Sequence, residues 1–164
     1  MIRVAALALT LFLASGCALQ PMYAGGERGE VAVFLRDVGV QPIPGRTGWL
    51  VRSALVDRIG EPSGDDTYRL EVELDDDITA FGLRTDSAVT RERRTLRARY
   101  RLVRNATGEV LLDATAGSDA GIDVVGSEYA TLAAEQSAAE RLSKVVADQI
   151  ITRLGLFAAR RGAP

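Results

Sequence analysis

The sequence predicts an α+β fold in which two helices pack on one face of a four-stranded, mostly antiparallel sheet, as a two-layer sandwich. Residues 68–74 and 95–102 alternate apolar and charged side chains without a fault, as strands with one buried face do. Residues 48–59 and 128–157 repeat apolar residues at the three- and four-residue steps of amphipathic helices. The predicted element order is β-α-β-β-β-α, and the alternation leaves the uncovered sheet face polar.

The first half of the chain is predicted to supply one strand and one helix. Apolar residues at alternate positions indicate a strand at 31–36. After a turn-rich loop with two prolines, Thr47 is the predicted N-cap of the first helix. The apolar arc of this helix includes Trp49 and also Arg52, which must therefore pair or extend to solvent. Gly60, followed closely by a proline, ends the helix.

The second half is predicted to form an antiparallel meander and one long helix. The sequence Asn-Ala-Thr-Gly at 105–108 is a hairpin connection that leads into a returning strand at 109–116. Ser127 opens the long helix, in which Glu140 and Lys144 stand in the favourable i, i+4 order. Thirty helical residues would span about 45 Å, so we expect this helix to extend beyond a small sheet.

Cys17, the only cysteine in the chain, follows a short apolar leader. Arg3 gives the leader a positive start, and residues 4–13 are uncharged, which suits a signal peptide and is too short to span a bilayer. The small residues at 14–16 followed by Cys17 resemble the lipobox of bacterial lipoproteins, in which the cysteine is lipidated and becomes the mature N-terminus. An unpaired secreted thiol that dimerises the chain is the alternative.

These features divide the chain into four predicted segments. Residues 1–16 are a lipoprotein signal peptide that is removed, 17–30 a lipidated tether, 31–157 the α+β domain, and 158–164 a flexible tail. Two or more acyl chains anchor a protein stably, so lipidation would hold the domain at a membrane. Ala18 stands where lipoproteins retained in the inner membrane have aspartate, which favours sorting to the outer membrane.

The composition argues against catalysis and against a metal or other cofactor. The chain has 20 basic and 22 acidic residues and no histidine, so it lacks the residues of a Ser-His-Asp triad, a Cys–His pair or a Cys/His zinc site. Its near-neutral charge gives no nucleic-acid signature. Asp75, Asp76 and Asp77 are consecutive, and consecutive strand residues point to opposite faces, so these carboxylates cannot converge without a bulge. We predict no catalytic residue, no cofactor and no metal.

Eight arginines fall within residues 84–104. On a strand, alternate arginines would line one face at intervals of about 7 Å. The guanidinium fork binds phosphate or carboxylate through two hydrogen bonds, which suggests an anionic ligand. Glu71 and Glu73 could pair with these arginines across strands, but three strand arginines against two glutamates leave a surplus of positive charge. A plain solvated or partner-facing surface is the alternative. The candidate contact residues for an anionic ligand or a partner are Arg94, Arg97, Arg99, Arg101 and Arg104.

The start of the mature chain, Cys-Ala-Leu-Gln-Pro-Met-Tyr, resembles the start of the LptE family of lipopolysaccharide-assembly lipoproteins. Cys17, Pro21 and Tyr23 keep the spacing of that family. The segments YRLEVEL, TLRARYRL with TGEVLL, and YATLAAEQSAAERLSKVVADQIITRL are similar to it in type and order, and the resemblance covers about residues 17–156. The positions that depart from the family pattern are Ala18, Leu19 and Met22.

The resemblance implies a non-catalytic outer-membrane lipoprotein, held by its N-terminal lipid and lodged as a plug inside the lumen of an LptD-like β-barrel. Such proteins help to assemble that barrel and to deliver lipopolysaccharide to the cell surface. The arginines would then contact lumen carboxylates or, by direct binding, lipopolysaccharide phosphates, and the resemblance does not separate these two targets. The runner-up function is an envelope lipoprotein that activates a periplasmic enzyme or serves another transport system.

Overall fold

The computed structural model describes residues 29–83, 89–124 and 127–162. Cys17, Pro21 and Tyr23, which carry the lipobox and part of the family resemblance, lie outside the described residues. The α+β class is confirmed, with one short helix in addition to the two predicted ones. The elements in chain order are α1 (Glu30–Arg36), β1 (Val38–Val40), α2 (Gly45–Ile59), β2 (Tyr68–Leu83), β3 (Val89–Arg104), β4 (Val110–Asp123) and α3 (Glu128–Gly162).

The four strands form one sheet in the order β1-β2-β3-β4. β1 is parallel to β2, whereas β2, β3 and β4 form an antiparallel meander. The long strands continue well past the predicted alternating segments. Leu102 of β3 lies between Leu70 of β2 and Leu112 of β4. The pairing of β3 with β4 shifts register between Leu102 and Val103. β3 therefore lies between two strands from Arg91 to Val103.

The core forms where one face of this sheet meets the two longer helices. Even-numbered positions of β3 point into it, and Leu96, Ala98, Tyr100 and Leu102 are all buried. The sheet and both helices contribute side chains to one continuous cluster. Among the described residues, none of the helices is both long and apolar enough to cross a membrane. The large apolar helix side chains with no exposed surface are Val51, Leu55, Val146, Ile150 and Leu154.

The strand predicted at residues 31–36 is wrong, because this segment forms α1. Val31 and Leu35 are buried together one helical turn apart, while Val33 between them is 56% exposed. Apolar residues at positions 31, 33 and 35 fit a strand. Val31 and Leu35 also fit one side of a helix, because they are four residues apart. The ring of Phe34 packs against Tyr68 and Phe157, with centroid distances of 5.1 and 6.0 Å, and so joins α1 to β2 and α3.

The predicted start of α2 is also wrong, whereas its end is confirmed. The helix begins at Gly45, with Pro44 rather than Thr47 in the cap position. Trp49, placed in the apolar arc by its periodicity, is 64% exposed. Arg52 pairs with a carboxylate 3.4 Å away, as expected for a charge inside the arc. Gly60 ends the helix with a φ of 98°, in the region that favours glycine.

Ser127 opens α3 as predicted, because its hydroxyl accepts a hydrogen bond from the backbone N–H of Ala130 at 3.4 Å. The helix continues to Gly162, so residues 158–162 of the predicted tail are helical and Ala158 is buried. Its first turns project beyond the packed core, which leaves Tyr129 largely exposed.

We expect Gly48→Ala to lower the free energy of unfolding by about 1–3 kcal/mol, as overpacking does, despite the better helix propensity of alanine. A Cβ atom at Gly48 would lie 2.6 Å from the carbonyl oxygen of Ile43, at the point where α2 packs on the preceding loop. Gly121→Ala is the matched control, because a Cβ there meets nothing within 4 Å. Denaturant unfolding of both variants checks this, and equal stabilities would contradict it.

Candidate functional site: the charged face of the sheet

The uncovered face of the sheet carries three parallel columns of charged side chains, which we call the charged face. The register places the odd-numbered residues of β2, β3 and β4 side by side on this face. A central column of arginines on β3 thus lies between two columns of acids. The columns are Glu71, Glu73, Asp75 and Asp77 on β2, Arg91, Arg93, Arg97, Arg99 and Arg101 on β3, and Asp113, Asp119 and Asp123 on β4.

Two of the candidate arginines are bound to acids on opposite sides. Arg99 donates two hydrogen bonds to Asp113 on β4, from Nη2 to Oδ2 at 2.8 Å and from Nε to Oδ1 at 3.2 Å. Arg101 turns to β2, where its Nη2 lies 3.1 Å from Glu71 Oε2 and 3.9 Å from Glu73 Oε1. The central column is therefore cross-linked to both neighbours by ion pairs.

The Arg99–Asp113 pair perturbs the titration of both groups. Its hydrogen bonds lower the pKa of the Asp113 carboxyl and raise the pKa of the Arg99 guanidinium. Both side chains are well exposed, at 62% for Arg99 and 41% for Asp113. Water and salt screen such a pair, so it orients the two side chains more than it stabilises the fold.

Arg97 differs from its neighbours in the column. In the part of the chain that the structure describes, it makes no ion pair. Its side chain lies instead across Gly117, so closely that a Cβ atom there would be 2.6 Å from Arg97 Nη1. Glycine at this position lets the arginine lie across β4, and its guanidinium group remains available for a carboxylate or phosphate.

Arg94 and Arg104 do not belong to the charged face. The sequence grouped all five candidates, but even-numbered β3 residues point to the helices. Arg104 lies at the hairpin end of β3, where its Nη1 is 3.3 Å from Glu109 Oε2. The structure therefore brings together only Arg97, Arg99 and Arg101.

Arg94 instead ties four elements together. It donates two hydrogen bonds to Asp76 of β2, at 2.8 and 2.6 Å, and a third to the backbone carbonyl of Glu135 in α3, at 3.1 Å. Asp76 also accepts a hydrogen bond from the hydroxyl of Thr47 in α2, at 2.6 Å. We call Arg94, Asp76, Thr47 and the Glu135 carbonyl the arginine clamp. It borders a cleft of about 330 Å³ between the starts of the two longer helices.

The clamp explains the acidic run at residues 75–77. As predicted, its members point to opposite faces, with Asp75 and Asp77 on the charged face and Asp76 towards the helices. Asp76 is not a freely solvated strand residue, because its side chain is only 21% exposed. Hydrogen bonds from Arg94 lower the pKa of the Asp76 carboxyl below its ordinary value of 3.8.

The comparison with known families assigns this fold. The model of the LptE family, described as lipopolysaccharide-assembly, matches residues 35–154, well over half of the chain. The chain belongs to the LptE family. This is a family of lipoproteins, and it is non-catalytic. No curated protein matches the sequence.

Solved structures show the same LptE-like architecture. A Caulobacter crescentus CB15 protein described as a lipoprotein matches with a TM-score of 0.69 and 23% identity, over 83% of this chain and 100% of that chain. Rare lipoprotein B of Shewanella oneidensis matches with a TM-score of 0.59 and 10% identity, over 77% and 98%. Lipoprotein B of Nitrosomonas europaea matches with a TM-score of 0.58 and 14% identity, over 74% and 83%. At these identities the matches show a shared fold alone.

The sequence did not reveal the acidic column of β4 in this LptE-family chain. Weighing three arginines against Glu71 and Glu73 suggested a surplus of positive charge. The register adds Asp113 and further acids on the other side, so that surplus does not exist on the charged face. The spacing of Asp113, Asp119 and Asp123 was visible in the sequence, but its meaning depends on which strand lies beside β3.

We expect Asp76→Asn to lower the free energy of unfolding at pH 7 by about 1–2 kcal/mol, as the loss of charged hydrogen bonds at a partly exposed site does. Because folding lowers the Asp76 pKa, its stabilisation is complete above the unfolded value and is lost as the pH falls from about 4 through the folded pKa. The difference between wild type and variant should therefore shrink in acid.

Asp113→Asn is the matched control for this pH series, because it removes an arginine-bound carboxylate from the exposed charged face. Its effect on stability should be smaller at every pH. Denaturant unfolding between pH 3 and pH 7 measures both differences. A difference for Asp76→Asn that does not change with pH would refute the assignment.

Proposed function

We propose that this LptE-family chain is an outer-membrane lipoprotein that lodges in the lumen of an LptD-like β-barrel, helps to assemble that barrel, and takes part in lipopolysaccharide delivery. The family match supports a role in lipopolysaccharide assembly. Lipidation of Cys17 would anchor the chain, since several acyl chains hold a protein stably at a membrane. The domain would then lie on the periplasmic side or within the lumen.

The charged face is the observation that carries the lumen assignment. The interior walls of large membrane barrels are polar, so a protein lodged there needs a polar outer surface. This sheet presents charges of both signs along three strands, while its opposite face is buried under the helices. Arginines fixed by neighbouring acids are also oriented for further hydrogen bonds to a partner.

We assign the contacts of Arg97, Arg99 and Arg101 to the barrel wall rather than to lipopolysaccharide. A phosphate that approaches the central column must pass between two columns of carboxylates, which repel it. A lumen wall with side chains of both signs can complement all three columns. Arg94 and Arg104 are assigned to support of the fold, because they do not lie on the charged face and pair with Asp76 and Glu109.

The proposal predicts that the full-length chain co-purifies with a large outer-membrane β-barrel protein after mild detergent extraction. Its depletion should cause lipopolysaccharide to accumulate inside the cell. Mass spectrometry of the purified complex and fractionation of membranes after depletion measure these results.

Cys17→Ala is the control for anchoring, because it removes the lipidation site and leaves the domain unchanged. We expect less of this variant in the outer membrane. A full-length protein that emerges as a monomer, with no effect of depletion on lipopolysaccharide, would refute the proposal. Depletion that alters a periplasmic enzyme but not lipopolysaccharide would support the runner-up function.

A further inference from the structure

The free edge of the sheet has an unusual contact with α3. The side-chain amide of Gln149 makes two hydrogen bonds to the backbone of Gly117 on β4. It accepts one from the Gly117 N–H at 3.0 Å and donates one to the Gly117 carbonyl at 3.2 Å. These are the two backbone groups that a neighbouring strand would use, so Gln149 takes the place of one residue of a fifth strand.

The rest of this edge is open to pairing. β4 is the last strand in the sheet order, and no strand lies beyond it in the described part of the chain. Both backbone groups of Gly117 point outwards, so by alternation those of Thr115 and Asp119 do too. Small residues at Ala116, Gly117 and Ser118 would let another backbone approach closely. An open edge of this kind binds strands readily.

An exposed flank of α3 adjoins this edge. Val145 and Leu156 are each 41% exposed, and they lie on the same side of the helix as Gln149. They line a shallow depression of about 450 Å³ together with Asp148, Gln149, Thr152 and Arg153. A strand added to β4 would place its helix-side residues over this apolar flank.

Arg97 lies beside the same edge, on the charged face of the sheet rather than on the helix side. Its guanidinium lies over Gly117 and has no acidic partner among the described residues. On an added strand, the residue beside Gly117 on the charged face would be the next neighbour of that guanidinium. An acid at this position would complete the pairing that the other arginines of the column already have.

We propose that the β4 edge, with the Val145–Leu156 flank of α3, binds an amphipathic β-strand of the barrel partner. Residues of that strand on the helix side are apolar and cover Val145 and Leu156, and an acid on the other side pairs with Arg97. Apolar and polar residues alternate in this way in the strands of membrane β-barrels. We place this binding before the barrel closes. The Gln149 amide occupies the edge until the strand replaces it. This inference rests on the proposed function and adds the mode of binding.

Site-specific photocrosslinking in living cells tests the inference on the full-length lipidated chain. The photoreactive residue p-benzoylphenylalanine replaces Val145 at the flank, Glu73 on the charged face, or Ser63 in an exposed loop as the control. We expect Val145 to form an adduct with the barrel protein, and peptide mapping to place it in a segment of alternating apolar and polar residues. Ser63 should form none.

Thr115→Pro, combined with the photoreactive residue at Val145, tests whether the backbone edge is used. Proline removes an N–H that points outwards and leaves the ladder between β3 and β4 intact. We expect the adduct to fall about fivefold, as the loss of a backbone hydrogen bond predicts. Thr115→Ala keeps the N–H and should retain the adduct. Circular dichroism of both variants verifies that they are folded.

The outcomes separate this inference from the proposed function. A barrel adduct from Glu73 but not from Val145 overturns the strand site and leaves the proposed function standing. Equal Val145 adducts in folded Thr115→Pro and Thr115→Ala also overturn it. An adduct of Val145 with a second copy of this chain overturns the choice of partner. No barrel adduct from either Glu73 or Val145 contradicts the proposed function itself.

Discussion

The alternation of β3 is the constraint on which the rest of this molecule depends. Because the strand is interior, its even-numbered side chains can only enter the core and its odd-numbered side chains can only form the charged face. A register shift of one residue would bury Arg97, Arg99 and Arg101 and expose Leu96 and its neighbours. The same 16-residue strand therefore specifies both the packing of the helices and the surface that we assign to the partner.

Arg94 stands at an even position, where the alternation leads one to expect an apolar residue. A charge directed to the helices is tolerated only with close partners, and the arginine clamp supplies them from β2, α2 and α3. The pair is neither fully buried nor fully solvated, with Arg94 14% and Asp76 21% exposed. The clamp holds the part of the sheet around Asp76 and Arg94 against the starts of both longer helices. Fewer apolar side chains are buried there, and Leu132 is exposed.

The sequence predicted the parts of the fold that depend on local periodicity. It identified the inward and outward faces of β2 and β3, the hairpin before β4, the helix stop at Gly60 and the cap at Ser127. It failed at α1, because seven residues are too few to separate periods of 2 and 3.6. The candidate site was predictable only in part. Ion pairs such as Arg99–Asp113, and the contact of Gln149 with Gly117, depend on tertiary register, which propensity and spacing do not encode.

The central claim is that the charged face binds the barrel wall. The most direct measurement is the affinity of the barrel for the Arg97→Glu, Arg99→Glu, Arg101→Glu variant, compared with Arg141→Glu, Lys144→Glu, Arg160→Glu, which makes the same change in charge on exposed residues of α3. With both variants shown to be folded, the first should bind the barrel about tenfold more weakly, a loss of about 1.4 kcal/mol, and bind lipopolysaccharide as the second does. Equal barrel affinity in the two variants would contradict the account.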